Sequence, residues 1–177
     1  LIKELNLDLK VAVVLGDDLL EDKDKFLDSG ILEMYSDEKF PEVDKIASIN
    51  AYLGAFPIAQ ALNDGADIVI TGRSVDSAVT LAACIHTFGW KEDEYDKLAS
   101  GSLAGHIIEC GTQSTGGNFT DWELSSKNLH MIGYPIVDVD ESGEFICTKS
   151  KNTSGLVSFG TVAEQMLYEI GDPQAYI

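Results

Sequence analysis

The sequence predicts an α/β fold, with a mostly parallel sheet flanked by helices in Rossmann-like layers and a β-hairpin in the second half. Two short runs rich in β-branched residues end at glycine, which is typical of buried strands. Helix-like segments alternate with these runs, and a strand–helix–strand order favours parallel pairing. A turn sequence between two later β-branched runs indicates the hairpin.

In the first half, "LDLKVAVVLGDD" (7–18) is the first predicted strand. The next predicted element is a helix, because apolar residues recur at helical spacing: Ile46, Ile49, Leu53, Phe56 and Ala59. We expect a kink or break at Pro57 and a helix end at 63–65. "ADIVITG" (66–72) is a second strand without alternation, as expected when both of its faces are covered. An amphipathic helix over 74–89 follows.

In the second half, a helix is predicted over 95–111 and ends at Gly111. The hairpin turn at 141–143 sets two groups of residues opposite each other: Ile136, Val137 and Val139, and Phe145, Ile146 and Thr148. A last helix covers 161–171, with Gly171 and Pro173 at and beyond its end. We expect a single α/β domain over 1–177 that is a fragment of a longer chain, because the first residue is Leu1 rather than Met.

The charge balance excludes two classes of partner. The chain has 30 acidic and 12 basic residues, so its formal net charge is −18. Such a surface repels phosphate backbones and anionic lipid heads, and we expect neither nucleic-acid nor membrane binding. The acidic runs near 16–30 and 36–45 indicate a solvated face, and a binding surface for a basic partner is the alternative.

The cysteines indicate a reducing compartment. Cys84, Cys110 and Cys147 are odd in number and form no CxxC pair, which favours free thiols over a disulfide framework. The chain has no apolar run of transmembrane length and no signal peptide, so we expect a cytoplasmic protein, or a mitochondrial matrix protein in a eukaryote.

The first candidate site is the turn in "VITGRSVDSA" (69–78). In open α/β sheets, the loop after a strand borders the ligand crevice. Gly72 would let a ligand approach the backbone, Arg73 would bind a carboxylate or phosphate, and Ser74 would cap the next helix. Asp76, at the second helical position, would itself complement the helix dipole. An ordinary capped turn with an exposed arginine is therefore the alternative.

The second candidate is the helix end in "HIIECGTQSTGGNFTDW" (106–122). Glu109 near a helix C-terminus suits a general acid or base, with His106 on the same face to orient it or share its proton. A surface glutamate paired with a neighbour is the alternative. Cys110, at the same helix end, reads better as a small buried hydrophobic residue than as a nucleophile. Zinc ligands usually come as two separated pairs, so we expect no metal here and no cofactor.

The loop after this helix carries a series of hydrogen-bond donors. Gly116 and Gly117 can turn successive amide hydrogens toward one point, which suits a polarised carbonyl or enolate. Thr115 and Asn118 add neutral donors, and Asp121 adds a second carboxylate to the catalytic candidates. We expect this loop and the 72–74 turn to open into one cavity.

Four long blocks of the sequence resemble a known family. They are "GADIVITGRSVDSAVTLAACIHTFGW", "LASGSLAGHIIECGTQSTGGNFTDW", "IGYPIVDV" and "GLVSFGTVAEQMLYEIGDPQAY". Together they resemble the acyclic terpene utilisation (AtuA-like) family, also labelled a domain of unknown function, and the resemblance extends over essentially the whole chain. The resemblance implies a place in the breakdown of acyclic terpenoids such as citronellol and geraniol. That pathway works on branched acyl-CoA thioesters, beside a biotin-dependent carboxylase, a hydratase and a lyase.

Three hypotheses about function remain open at this point. The first is an enzyme that acts on a CoA thioester or related carboxylic compound by hydratase, lyase or hydrolase chemistry. The second is a non-catalytic module that assembles with an acyl-CoA carboxylase or presents substrate to it, or forms a homo-oligomer. The third is a simple organic-anion-binding domain.

Overall fold

The computed structural model describes residues 1–125, 127–168 and 170. The chain divides into two compact units, Leu1–Val75 and Asp76–Ile177. Within the described residues there are five α-helices and two small sheets. In chain order the elements are β1 (Val11–Val14), α1 (Lys23–Asp28), α2 (Ala55–Asn63), β2 (Ile68–Thr71), α3 (Ala78–Phe88), α4 (Tyr95–Ile108), β3 (Pro135–Val139), β4 (Phe145–Lys149) and α5 (Phe159–Leu167).

The first unit is built on a parallel strand pair, as predicted. β1 and β2 pair in register from Val11 opposite Ile68 to Val14 opposite Thr71. Helix α2 packs on one face of this pair, where Val14 and Ile58 are buried. The other face is open: Val13 is 59% and Ile70 is 55% exposed. The expectation that both faces of the second strand are covered is therefore wrong for this chain, and the sheet is smaller than Rossmann-like layering would require.

The helix predicted from position 46 begins later, at Ala55. The residues before it make extended bridges instead, Asn50 with Asp18 and Leu53 with Ser74, and these pairings override the helical spacing. Pro57 is the third residue of α2 and does not break it, because amides of the first turn need no intrahelical partner. The helix ends at Asn63, as expected.

Helix α3 also begins later than predicted. It starts at Ala78 after Ser77, so Ser74 is not its N-cap and Asp76 lies outside it. Ser74 instead pairs with Leu53 in a parallel bridge and lies four residues before the first residue of the helix. The predicted end is correct, since Gly89 adopts a left-handed φ of 67° directly after Phe88.

The second unit packs α3 against α4 and carries the predicted hairpin. Strands β3 and β4 are antiparallel, with Val139 opposite Phe145 and Ile136 opposite Thr148. The buried Trp90 donates its indole N–H to the Glu141 carbonyl oxygen at 3.0 Å, which ties the hairpin turn to the helices.

Helix α5 begins at a capping box, two residues before the predicted start at position 161. Ser158 accepts from the Thr161 amide, and the Thr161 hydroxyl accepts from the Ser158 amide. The helix ends at Leu167, where Tyr168 is extended, so it ends earlier than predicted. Gly171 and Pro173 themselves lie outside the described residues. No helix in the described part of the chain is long and apolar enough to cross a bilayer.

Candidate functional site

The end of α4 differs from the prediction and changes the position of one candidate. The helix ends at Ile108, Glu109 caps it, and Cys110 and Gly111 both take left-handed φ angles, 55° and 62°. This conformation suits glycine but costs a residue with a Cβ about 1–2 kcal/mol. Cys110 is therefore off the helix and exposed. Its expected role as a small buried hydrophobic residue on the helix face is wrong.

His106 and Glu109 lie one helical turn apart at this helix end. The Cys110 thiol donates to Glu109 Oε1 at 2.8 Å. The other carboxylate oxygen, Oε2, and His106 Nε2 are shielded from solvent and have no hydrogen-bond partner among the described residues. The structure therefore brings together the two predicted acid–base candidates, each with a free polar atom.

Gln165 belongs to the same site and was missed by the sequence analysis. It is 2% exposed, and its side-chain amide donates to the His106 carbonyl at 2.8 Å and more weakly to that of Glu109 at 3.5 Å. These bonds tie α5 to the carbonyl end of α4. The sequence signal was a glutamine one turn after Thr161, among the inward-facing positions of the last helix.

Several buried polar atoms of this region have no hydrogen-bond partner in the part of the chain that the structure describes. His106 lies on α4, and Glu109 is its C-cap. The other atoms belong to Gln113 and Ser114, on the 3-10 turn Gln113–Thr115, and to Gln165 on α5, which packs on that turn. Burying a polar group without a hydrogen bond costs about 1–3 kcal/mol, so native proteins rarely keep one without a reason. Such a concentration marks the α4–α5 junction as the candidate functional site.

The Gly-Gly loop is held by its own backbone. The Gly116 amide donates to the Gln113 carbonyl at 2.9 Å, and the Gly117 amide donates to that of Thr112 at 2.8 Å. Thr115 is fully buried, and its hydroxyl donates to the Gly133 carbonyl at 2.7 Å. In this conformation these donors stabilise the turn. Their role in binding a substrate oxygen stays a prediction, and it requires an exchange of hydrogen-bond partners.

The remaining loop candidates are on the surface. Asn118 and Asp121 are exposed, and Asp121 directly precedes the 3-10 turn Trp122–Leu124. Within the described residues, no hydrogen bond joins Asp121 to His106 or Glu109. A catalytic role for Asp121 stays a prediction.

The 72–74 turn already holds an anion, which is the protein's own carboxylate. Asp17 Oδ2 accepts from the Arg73 amide at 2.7 Å and from the Asn50 side chain at 2.9 Å. The Arg73 amide bond is the main reason that the pKa of Asp17 lies below its ordinary value. Gly72 is required here, because a Cβ would lie 1.7 Å from Asp17 Oδ1. Asp17 was not among the predicted site residues, although the Gly-Asp-Asp after the first strand was a sequence signal for it.

The Arg73 side chain lies against an aromatic ring. Its guanidinium carbon is 4.6 Å from the Tyr52 ring centroid, and Nη2 donates to the Tyr52 hydroxyl at 3.1 Å. This turn belongs to the first unit and the 115–118 loop to the second, so a common cavity stays a prediction. An open groove of about 710 Å³ between β1 and α2 is lined by neither segment.

The other cysteines have different surroundings from Cys110. Cys84 is buried, Cys147 is half-buried, and burial raises the pKa of both thiols. Among the described residues, no group of three or more His, Cys, Asp or Glu side chains is arranged to hold a metal ion.

The comparisons with known proteins identify the family. No curated protein and no solved structure matches this chain. A family model described as acyclic terpene utilisation family protein AtuA matches residues 1–177, which is the whole chain. The blocks that suggested this resemblance include the α4 end and the 72–74 turn. The chain belongs to the acyclic terpene utilisation family.

Proposed function

We propose that the chain is an enzyme of acyclic terpenoid catabolism that acts on a branched acyl-CoA thioester or related carboxylic compound. The family supports a place in acyclic terpene utilisation. The observation that carries the chemistry is that His106 Nε2 and Glu109 Oε2 are both shielded from solvent and have no hydrogen-bond partner among the described residues. Such atoms suit proton transfer in a hydratase, lyase or hydrolase reaction.

Glu109 moves the proton in this proposal, and His106 orients it or shares the proton. Excluding water strengthens the electrostatic interaction of both groups with a substrate. Gln165 positions them, because its amide holds both of their carbonyl oxygens. It acts on them through these backbone carbonyls.

The substrate-binding part of the proposal uses the two loops. The exposed Asn118 amide, with Thr115, Gly116 and Gly117, would bind the carbonyl oxygen, and Asp121 would serve as a second carboxylate. In the first unit, the exposed Arg73 side chain would bind an anionic group of the substrate, because the backbone of the 72–74 turn already binds Asp17. We place the enzyme in the cytoplasm.

Glu109→Gln tests the proposal with a panel of branched acyl- and enoyl-CoA thioesters. It should lower kcat by about 10²–10⁴-fold, because the amide cannot exchange a proton, while thermal stability and substrate affinity stay nearly unchanged. Glu144→Gln, on the exposed hairpin turn, makes the same change of charge and should retain full turnover. Full turnover by Glu109→Gln would remove this residue from the mechanism. If the chain instead binds a carboxylase partner stoichiometrically and Glu109→Gln has no effect, the assembly-module hypothesis would be favoured.

A further inference from the structure

We infer that Cys110 is a covalent acyl acceptor: its thiol takes the acyl group of a thioester while Glu109 accepts the thiol proton. This inference rests on the proposed function, since it adds a nucleophile to a site for acyl thioesters. It goes beyond acid–base chemistry because it requires a covalent intermediate on the protein.

The first observation is the contact between the thiol and a carboxylate. Cys110 Sγ donates to Glu109 Oε1 at 2.8 Å, so the carboxylate already contacts the thiol proton that must leave when sulfur attacks. Cys110 is an exposed residue. Cys84 and Cys147 are less accessible, and burial raises the pKa of both, which disfavours the reactive thiolate.

The second observation is the backbone conformation. Cys110 has a φ of 55°, a left-handed conformation that residues with a Cβ seldom adopt. Residues held in such conformations occur preferentially at functional sites. Here the left-handed turn, continued by Gly111, places the thiol beyond the helix end instead of on the helix face.

The third observation is independent of the cysteine and points to a ligand. Gln165 is 2% exposed and its amide nitrogen lies on the carbonyls of His106 and Glu109, yet its Oε1 has no partner in the described part of the chain. His106 Nε2 at the same helix end is also without one. A thioester of pantetheine carries a carbonyl acceptor and amide N–H donors. These groups complement His106 Nε2 and Gln165 Oε1 as hydrogen-bond partners.

The step is an exchange of one thioester for another. A bond forms between Cys110 Sγ and the acyl carbon, and the bond between that carbon and the CoA sulfur breaks. The thiol proton passes to Glu109 Oε1 and then to the departing CoA thiolate. The products are an acylated Cys110 and free CoA thiol, and no oxidant or reductant is required.

The test uses the full chain and 3-methylbutanoyl-CoA, with acid quench, intact mass spectrometry and peptide mapping. We expect one acyl group on Cys110, removable by neutral hydroxylamine. The adduct should be absent in Cys110→Ser and in Cys110→Gly, whose glycine suits the backbone conformation. It should persist in the control Cys147→Ser. Glu109→Gln should slow acylation by about 10²-fold, as loss of a general base does.

Three results would overturn the covalent step: no adduct, equal acylation of Cys147, or an unchanged rate in Glu109→Gln. Acylation of Cys110 requires one transfer step and not a complete catalytic cycle. An adduct can therefore form even when the chain shows no hydratase, lyase or hydrolase turnover. Conversely, turnover that persists in Cys110→Ser without any adduct leaves the proposed function standing and overturns this inference alone.

Discussion

Gly105→Ala should destabilise the second unit, although alanine is the better helix former. Gly105 lies inside α4, where its missing side chain lets α4 approach the start of α3. A Cβ built there would lie 2.8 Å from the Ser77 carbonyl oxygen and 2.9 Å from Ser77 Cα. Both obstacles are backbone atoms, so no side-chain rotation can relieve the contact, and α4 would have to shift as a whole.

The size of the effect follows from two opposing contributions. Replacing glycine by alanine in a helix interior gains about 1 kcal/mol. Overpacking a close contact costs about 1–3 kcal/mol, and a contact with backbone belongs at the upper end of that range. We therefore expect the free energy of unfolding to fall by about 1–2 kcal/mol. The shift in Tm is about 2–4 °C for each kcal/mol in a chain of this size.

Urea unfolding followed by tryptophan fluorescence measures this change, because the buried Trp90 reports on the second unit. Gly101→Ala is the matched comparison, since its Cβ would meet side chains, Leu81 Cδ1 at 2.8 Å and Trp90 Cζ3 at 2.9 Å. Those side chains can move, so Gly101→Ala should cost less than Gly105→Ala. If Gly105→Ala is as stable as the wild type, the close helix contact does not govern the packing of α4.

Two further variants test other parts of the fold. The pKa of Asp17 lies below its ordinary value of 3.8, so its carboxylate stabilises the fold at pH values above 3.8. This stabilisation is lost as the pH falls through the lowered pKa. Asp17→Asn should flatten that loss in urea titrations between pH 5 and pH 2, whereas the exposed control Asp28→Asn should not. Ser158→Ala removes the cap of α5 and should lower the free energy of unfolding by about 0.5–2 kcal/mol, while Ser158→Asp should retain it. Equal stability of both Ser158 variants would show that the cap contributes nothing.

Local sequence patterns correctly predicted the elements whose conformation is set by residues close together in the chain. The β-branched runs became β1 and β2, and the Glu141–Gly143 turn joined the expected hairpin. Gly89 ended α3 because a left-handed conformation favours glycine wherever the rest of the chain goes. The resemblance to the acyclic terpene utilisation family also rested on sequence alone, and the family match confirms it.

Helix starts and ends were less predictable, because distant contacts decide them. Leu53 and Ser74 were predicted to lie in two helices, but they pair with each other in a parallel bridge. α4 ends at Ile108, where the Gln165 amide, 59 positions away from His106 in sequence, satisfies a carbonyl of its last turn. Such a partner leaves no local signal near the helix end.

The sequence by itself determined the family, the acidic character, the strand pair, the hairpin and the acid–base candidates His106 and Glu109. Only the tertiary structure decided what surrounds those candidates. It placed the Cys110 thiol outside the helix, where it donates to Glu109, and it brought the Gln165 amide to the carbonyl oxygens of His106 and Glu109. The physical reason is that spacing along a chain sets local conformation, whereas burial and hydrogen-bond partners depend on segments that meet only after folding.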